Sequence, residues 1–541
     1  MPADDLIPVS VTPGPGPGEH APGSPDAPDA PDGPDGPIAL PARAGATMAQ
    51  ALFLGGFFTG RALCSGLGRC GLCRVRYLGQ APEATSAERR KLDPGLLGEG
   101  WRLACQHPAQ AAELLVPAAA KGRPRRQPAA PGPVRPGLVL AVDVGTTGLE
   151  WAALEHGVEI ARGRDVNPQM GAGAEIVSRL AFASGDKGYL RELVLDYLRG
   201  VVAGLPGTPE LMCLAGNPAM IYILLGLGVA GLARAPYRLD FKGGERARLA
   251  DDLPEALIAP LLGPFIGGDA SAGLIHLTLA RGGGDYPFLL ADLGTNGEFV
   301  LAAGPGEIWA ASAPMGPALE GSGLSHGVLA GPGCAVAFDP TPSGLVPATF
   351  TGRGDWNGGV SGTGYLSLIA TLARLGIIAR DGRFADLSAD PSLAALAGRL
   401  GIARVEGAPE AGLKLARMTL WASDVEEVLK VKAACNAVLS RLLGAAGLSA
   451  WRLAHLDLAG ALGYHVRAAD LEELGFIPAG LGRIVRKAGN TALAGALDLL
   501  AVPRALELAD TVAASARVLD LALDPGFERE YLDRMVFEYV N

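Results

Sequence analysis

Four of the seven cysteines lie close together in the sequence, as Cys64, Cys70, Cys73 and Cys105. A loop that supplies three thiolates and a distant strand that supplies a fourth is the arrangement that an iron–sulfur cluster requires. Gly66, Gly68 and Gly71 separate the first three cysteines, and glycine lets a backbone approach inorganic sulfur and point its amides toward it. The spacing therefore predicts a cluster held by these four thiolates. A structural zinc site is the alternative, although zinc ribbons usually carry two Cys-x2-Cys pairs.

The residues around these cysteines resemble the [2Fe–2S] ferredoxins. The segment CSGLGRCGLC at 64–73 is similar to their cluster loop, and RLACQ at 102–106 is similar to the segment that carries their fourth ligand. Five residues between the first two cysteines make the loop more like the adrenodoxin type than the plant type. The resemblance implies a small β-grasp, ferredoxin-like domain with a [2Fe–2S] cluster.

Charge and composition restrict the classes of partner. The 541 residues carry a net charge of −10, and the only basic cluster, at 121–126, lies in a Pro-rich stretch, so we expect no nucleic-acid partner. Clustered thiols without a secretory signal indicate a reducing, cytoplasmic location. The segment 211–233 has no charged residue, but Gly216, Asn217 and Pro218 interrupt it. It is therefore predicted to be a buried strand, a turn and a buried helix, with no membrane span.

Changes in composition and hydrophobic pattern divide the chain into five parts. Residues 1–36 are rich in Pro, Gly and Asp and are predicted to be disordered, although strand-like runs at 6–11 and 38–41 could pair with each other. The ferredoxin-like domain follows at 37–118, and residues 119–137, rich in Pro and Arg, are predicted to be a linker. Alternating apolar strands and amphipathic helices then indicate an α/β architecture, with a first lobe at 138–285 and a second at 286–541.

An internal repeat marks the two lobes. In each lobe an apolar strand ends in the pattern Asp-x-Gly-Thr-x-Gly, beginning at Asp143 in one and at Asp292 in the other. Such a hairpin tip can bring backbone amides and hydroxyls to phosphate oxygens, and its carboxylate can orient Mg²⁺ or water. The predicted phosphate-binding residues are Gly145, Thr146, Thr147, Gly294, Thr295, Asn296 and Glu298.

This repeat resembles the superfamily of acetate and sugar kinases, heat-shock chaperones and actin. The resemblance implies a two-lobed, actin-like fold that closes on Mg-ATP, with Asp143 and Asp292 as the catalytic carboxylates. It also implies that Gly460 and Gly463 belong to the adenosine-binding segment 458–463, and that 489–496 forms the connecting helix. A Gly-x-Ser-x-Gly pattern at 323–327 could suggest a hydrolase, but no strand leads into it.

The order of the modules resembles the reductive activators of corrinoid proteins. The resemblance implies that one electron passes from the [2Fe–2S] cluster to Co(II), regenerating Co(I), in an ATP-dependent step. It further implies a corrinoid protein of a methyltransferase system as partner and an unidentified low-potential electron donor, and it allows a homodimer. Two alternatives remain open: a small-molecule phosphotransferase with a fused redox domain, and an electron-transfer module that does not respond to nucleotide.

Overall fold

Three sheets of five or six strands succeed one another along the chain in the computed structural model. The structure describes residues 6–14, 37–41, 45–59, 61, 63–64, 66–117, 132–173, 175–185, 188–294, 296–320, 323–352, 356–407, 410–415, 417–460 and 465–540.

The first sheet has the strand order β2-β1-β5-β3-β4. Its strands are β1 (Leu6–Gly14), β2 (Pro37–Pro41), β3 (Arg74–Tyr77), β4 (Trp101–Leu103) and β5 (Ala112–Pro117), and its helices are α1 (Met48–Leu54), α2 (Ser86–Lys91) and α3 (Pro94–Gly98). Thr47 caps α1 by accepting a hydrogen bond from the Gln50 amide, and Met48 and Leu52 are buried in the core beneath it. A mixed sheet crossed by one helix confirms the predicted β-grasp, ferredoxin-like fold.

The N-terminal boundary of this domain differs from the prediction. The sequence predicts that residues 1–36 are disordered, whereas β1 lies inside the sheet. It pairs antiparallel with β2, as the strand-like runs at 6–11 and 38–41 suggested, and parallel with β5. The physical reason is the apolar alternation of Val9 and Val11, which bury their side chains in the domain core. The proposed domain therefore includes residues 6–14, and the Pro-rich residues 15–36 lie outside the described residues.

The second sheet forms the first lobe, with the order β10-β11-β9-β6-β7-β8. Its strands are β6 (Val134–Val144), β7 (Gly148–Glu155), β8 (Val158–Val166), β9 (Thr208–Gly216), β10 (Arg246–Ala247) and β11 (Ala256–Ile258). Its helices are α4 (Ile176–Gly185), α5 (Tyr189–Ala203), α6 (Pro218–Leu225), α7 (Ala230–Ala233) and α8 (Gly268–Ala280), with a 3₁₀ helix at Pro168–Ala172. Because side chains alternate along β6, Leu140 and Val142 face the core formed with α4–α6, while Ala141 faces α8.

Two sequence predictions, the linker at 119–137 and the uncharged segment 211–233, can be compared with the structure of this lobe. Strand β6 begins at Val134, so the last residues assigned to the linker are strand, paired with Thr208 and Pro209 of β9; residues 118–131 lie outside the described residues. The uncharged segment 211–233 is a strand, a cap at Asn217 and the buried helix α6, as predicted. Among the described residues, no helix is long and apolar enough to cross a membrane.

The third sheet forms the second lobe, with the order β21-β20-β12-β13-β14-β22. The strands of this lobe are β12 (Phe288–Leu293), β13 (Asn296–Gly304), β14 (Glu307–Pro314), β15 (Ala335–Thr341), β16 (Gly344–Thr349), β17 (Ile402–Arg404), β18 (Gly412–Leu415), β19 (Met418–Trp421), β20 (His455–Ala459), β21 (Val485–Gly489) and β22 (Ala516–Leu519). Its helices are α9 (Gly362–Arg374), α10 (Pro391–Arg399), α11 (Ala422–Ala445), α12 (Ala468–Glu473), α13 (Thr491–Ala501), α14 (Pro503–Ser515) and α15 (Phe527–Asp533), with 3₁₀ helices at Pro317–Glu320, Ala450–Arg452, Gly482–Ile484 and Leu521–Leu523.

Helices α8 and α13 cross between the two large sheets. One core contains Ala141 and Cys213 from the first lobe together with Leu290 and Val300 from the second. The helices approach so closely that a Cβ at Gly495 would overlap the carbonyl oxygen of Ala272. Two similar sheets joined through a pair of helices confirm the predicted two-lobed fold.

The ferredoxin-like domain packs directly against the first lobe. Phe53 of α1 is fully buried and belongs to the core of the lobe, edge-on to Phe182 and Tyr189 at 5.7 and 5.4 Å between ring centroids. The Tyr189 hydroxyl donates a hydrogen bond to the Phe53 carbonyl at 2.8 Å. This aromatic contact fixes the side of the domain that carries the cysteine loop against the lobe.

Candidate functional site

The four clustered cysteines line a single cavity of about 390 Å³. Cys64 and Cys70 come from the loop that precedes β3, and Cys73 immediately precedes that strand. Cys105 lies in the 3₁₀ helix Ala104–Gln106 that follows β4. Antiparallel pairing of β3 with β4 brings the two segments together, and the Ala104 amide donates to the Cys73 carbonyl at 2.9 Å. The structure thus brings together all four ligands that the sequence predicted.

The loop conformation depends on its glycines. Gly66, Gly68 and Gly71 have φ angles of 91°, 68° and 69°, in the left-handed region that disfavours other residues. The resulting turns aim backbone amides at sulfur, from Cys70 to Cys64 Sγ at 3.5 Å and from Leu72 to Cys70 Sγ at 3.4 Å. Amides directed at thiolates, beside an open cavity, are the surroundings that an iron–sulfur cluster needs. The residues present therefore fit the predicted group.

The thiols are also close to one another in pairs. A hydrogen bond from the Cys70 side chain lowers the pKa of Cys64 to about 5, and burial together with that bond raises the pKa of Cys70. A hydrogen bond from the Cys73 side chain likewise lowers the pKa of Cys105. The same bond, together with burial, raises the pKa of Cys73. Since thiolates rather than thiols bind iron, one sulfur of each pair is already disposed to lose its proton.

A buried carboxylate supports the fourth ligand, and sequence reasoning missed it. Glu88 Oε1 accepts hydrogen bonds from the Leu103 amide at 2.6 Å and from His107 Nε2 at 2.9 Å, and Oε2 accepts from the Thr85 amide at 2.8 Å. Burial would raise the pKa of Glu88, but these hydrogen bonds outweigh it and lower the pKa. In the sequence Glu88 precedes Arg89, Arg90 and Lys91, and nothing sets it apart from these charged neighbours.

The first lobe closes the far side of the cysteine cavity. The lining residues of the lobe lie at the end of the 3₁₀ helix Pro168–Ala172 and in α4. They are Gly171, Ala172, Gly173, Ser178, Ala181 and Phe182. Gly171 must lack a side chain, because a Cβ there would overlap the ring of Phe53. The cavity therefore lies between the ferredoxin-like domain and the lobe.

A second and larger cavity, of about 860 Å³, lies between the two lobes at the tips of the repeated hairpins. Antiparallel pairing sets Asp143 opposite Glu150 in one hairpin and Asp292 opposite Glu298 in the other. All four carboxylates line the cavity, so the two lobes present the same Asp–Glu pair to one cleft. Glu150 was not predicted, because the first hairpin is one residue longer than the second and its Glu falls outside the shared pattern.

The first carboxylate pair is held by the opposite lobe. Asn490, which caps α13, donates hydrogen bonds from Nδ2 to Asp143 Oδ2 at 2.8 Å and to Glu150 Oε2 at 2.6 Å. Burial, opposed by the bond from Asn490 and reinforced by the charges of Asp269, Asp292 and Glu150, raises the pKa of Asp143 well above its usual range. The Asp143 carboxyl group therefore has too little positive charge near it to ionise at its usual pH.

Asp269, at the start of α8, pairs with Glu298. Burial raises the pKa of both carboxyls, although a hydrogen bond between their side chains favours the ionised form of Asp269. Asp269 also accepts a hydrogen bond from the Ala270 amide at 2.8 Å. The sequence pointed to Glu298, but Asp269 comes from a Gly-Gly-Asp segment that only the folded chain brings to the cleft.

The other predicted phosphate-binding residues also line this cleft where the structure describes them. They are Gly145, Thr146, Thr147, Gly294, Asn296 and Gly460, whereas Thr295 and Gly463 lie outside the described residues. Asn217 donates to Thr146 Oγ1 and Asn167 to the Gly145 carbonyl, both at 2.8 Å, which fixes the first tip. Gly460 has a φ of 76°, and a Cβ there would lie 2.5 Å from Asp292 Oδ1.

A carboxylate-lined cleft of this kind can receive a polyphosphate only with a cation. Mg²⁺ commonly binds through one or two carboxylates together with substrate phosphates and water. The carboxylates that the structure describes in this cleft do not by themselves form a group that could hold a metal ion. The residues present thus fit a magnesium ion that arrives with its phosphate ligand.

Three family models match consecutive parts of the chain. A 2Fe-2S iron-sulfur cluster binding domain matches residues 34–110, the RACo middle region matches 138–282, and the C-terminal domain of RACo, the ASKHA domain, matches 287–541. The first match supports an iron–sulfur cluster at the cysteine cavity. The other two together cover nearly all of the chain beyond residue 137.

Two curated proteins and one solved structure are similar to the chain. The corrinoid activation enzyme RamQ of Eubacterium limosum is 25% identical over 428 residues, which are 74% of this chain and 70% of that protein. The [Co(II) methylated amine-specific corrinoid protein] reductase of Methanosarcina barkeri is 28% identical over 268 residues, 46% of this chain and 44% of that protein. The structure of a reductive activator for corrinoid, iron-sulfur protein superposes with a TM-score of 0.64 and 18% identity, covering 99% of each chain, which establishes a shared fold.

Proposed function

The chain belongs to the RACo family of reductive activators of corrinoid proteins, and from that premise we propose that it reduces the Co(II) of a corrinoid protein to Co(I) with one electron in an ATP-dependent step. The observation that carries the proposal is that four cysteines line one cavity in a chain that also holds a two-lobed, carboxylate-lined cleft. One feature supplies a place for a redox group and the other a place for the nucleotide.

We assign a [2Fe–2S] cluster to the cysteine cavity. When bound, it supplies one electron at low potential, near about −400 mV for ferredoxin-type clusters. Cys64, Cys70, Cys73 and Cys105 hold it, and the amides of Cys70 and Leu72 stabilise negative charge on the sulfurs. Glu88 orients the strand before Cys105. The first lobe covers one side of the cavity, where Cys64 and Cys73 are buried, whereas Cys70 and Cys105 are partly exposed.

We assign Mg-ATP to the cleft between the lobes. The glycine-rich tips at 145–148 and 294–297 offer backbone amides to the phosphates, and Asp143 and Asp292 orient the metal ion and the attacking water. Raised pKa values at Asp143, Asp269 and Glu298 mean that a bound cation would be needed to ionise the whole set. Because it lacks a Cβ, Gly460 lets the proposed adenosine-binding segment approach the Asp292 carboxylate closely.

The requirement for ATP follows from the energetics of the electron. For a one-electron couple, each ~59 mV of unfavourable potential difference lowers the equilibrium constant tenfold. A Co(II)/Co(I) couple below the cluster potential therefore needs a coupled reaction. Closure of the two lobes on Mg-ATP can supply it by changing the conformation in which the corrinoid protein is bound.

The test is an anaerobic absorption assay with a purified corrinoid protein of a methyltransferase system. The cluster-loaded protein, the Co(II) corrinoid protein and a reductant are mixed, and Mg-ATP is added last. The proposal predicts growth of the Co(I) band only after the addition. Rapid Co(I) formation without nucleotide would point to an electron-transfer module instead, and phosphorylation of a metabolite without Co(I) formation would point to a kinase.

A further inference from the structure

The outer side of the cysteine loop is apolar and open to solvent. Leu67 and Leu72 are 54% and 40% exposed, and they flank Cys70 in the loop. The opposite side of the cavity is covered by the first lobe. In this arrangement the loop is the edge of the cavity that another protein can reach.

Positive charge surrounds these two leucines. Arg69 lies on the loop itself, Arg61 donates to the Leu72 carbonyl at 3.1 Å, and Arg74 donates to the Gly71 carbonyl at 2.7 Å. Residues 37–118 carry nine Lys and Arg against five Asp and Glu, whereas the whole chain has a net charge of −10. The domain is thus basic within an acidic protein, and its charge is concentrated beside the cavity.

Contacts within the chain show that this surface binds acidic groups. The Glu427 carboxylate, in the first turns of α11, accepts a hydrogen bond from Arg69 Nη1 at 2.9 Å. Lys91, whose stem lies against Gly71, donates to the Ser325 carbonyl at 3.1 Å, and the Ser325 amide donates to Asp424 Oδ1 at 2.8 Å. An acidic helix end therefore already occupies one side of the basic surface.

We propose that Leu67 and Leu72, with Arg61, Arg69 and Arg74, form the docking surface for a small acidic one-electron carrier protein that reduces this chain. The carrier is oxidised by one electron and one iron of the cluster is reduced by one, with no proton transferred. Opposite charges steer the encounter and the apolar centre excludes water from it. The inference rests on the proposed cluster and adds the chemical class of its electron donor. Because Glu427 occupies Arg69, the carrier and the acidic end of α11 compete for one surface.

The test measures the second-order rate constant for reduction of the cluster-loaded full chain by a reduced, acidic, low-potential ferredoxin in a stopped-flow spectrometer. At low ionic strength Arg69→Ala and Leu72→Ser are each expected to lower the constant about five-fold, and Arg69→Lys to keep most of it, since steering depends on charge. Glu427→Gln is expected to raise the constant about two-fold, because it frees Arg69. Arg89→Ala is the control, since this exposed arginine pairs with Glu83 and is not one of the residues of the proposed surface.

Reduced methyl viologen, a small cation, serves as the second reductant and should reduce every variant at least as fast as the wild type, because loss of an arginine removes a charge that repels it. If the variants lost as much of the rate constant with viologen as with the acidic carrier, the proposal would be overturned. The arginines would then act only on the charge of the cluster. Wild-type rates for Arg69→Ala and Leu72→Ser with the acidic carrier, or rates that do not fall with salt, would also overturn it. A chain that binds no cluster would contradict the proposed function itself, which iron analysis detects separately.

Discussion

Asn490 donates a hydrogen bond to Asp143 at 2.8 Å across 347 positions of the sequence. The carboxylate belongs to the first hairpin and the amide to the cap of α13, so the bond ties the proposed metal-orienting carboxylate of one lobe to a helix of the other. Relative movement of the lobes therefore changes the surroundings of Asp143 directly.

Replacement of Asn490 separates this role from helix capping. Asn490 Oδ1 also accepts from the Leu493 amide at 2.8 Å, and serine caps a helix about as well as asparagine does. Asn490→Ser is therefore expected to leave the melting temperature nearly unchanged while lowering ATP turnover about ten-fold or more, since Asp143 loses its donor. Wild-type turnover by Asn490→Ser would show that the bond has no part in the reaction.

Glu298→Gln is expected to stabilise the protein without nucleotide. Burial raises the pKa of Glu298 well above 4.5, so the folded chain keeps a proton that the unfolded chain releases above that pH. The free energy of unfolding consequently falls as the pH rises from about 5 to about 8. The variant should flatten that fall and melt at a higher temperature near pH 8, yet bind Mg-ATP more weakly. Scanning fluorimetry over this range would contradict the account if the variant melted below the wild type at pH 8.

Cys105→Ala is expected to abolish the cluster and leave the lobes folded. Iron and sulfide should fall from about two each per chain, as the cluster type requires, to near zero, while Mg-ATP still binds. Cys213→Ala is the matched control, because that cysteine is buried in β9 of the first lobe and lines neither cavity. Full iron content in Cys105→Ala would contradict the assigned ligand set.

Phe53→Ala tests whether the ferredoxin-like domain depends on the first lobe. Removal of a buried phenylalanine usually costs about 3–5 kcal/mol, and here the lost contacts with Phe182 and Tyr189 belong to the lobe. We expect the cluster signal to be lost at lower denaturant and the cluster to be removed faster by a chelator. Tyr189→Phe removes only the hydrogen bond to the Phe53 carbonyl and should have a much smaller effect. Identical denaturation of Phe53→Ala and the wild type would contradict this packing.

The sequence was sufficient where the chemistry is local. The four cysteines and their glycines fall within one loop and one short 3₁₀ helix, and the two Asp-Gly-Thr hairpins repeat in a form that can be recognised by eye. Helices α1 and α2 are also determined locally, because Thr47 and Thr85 occupy the positions that caps require. These features depend on neighbours in the chain.

Residues that act through distant partners could not be found in this way. Asp269, Glu88 and Asn490 are ordinary polar residues in their own segments, and each becomes part of a site only through strands or helices that the fold brings together. The sequence suggested that residues 6–11 pair with 38–41, but the parallel pairing of Leu6–Gly14 with β5 was missed, since β5 follows a long Pro-rich stretch and most of the domain.

The central claim is that one electron from this chain reaches cobalt only when nucleotide is bound. The most direct test is a single-turnover experiment in which the cluster is reduced beforehand and the excess reductant is removed. The Co(II) corrinoid protein is then added with or without Mg-ATP, and the cluster and cobalt absorption bands are followed together. The account predicts equal loss of reduced cluster and gain of Co(I) with Mg-ATP, and neither without it or in Asp292→Ala. Co(I) formation that proceeds equally in the absence of nucleotide, or in Asp292→Ala, would contradict it.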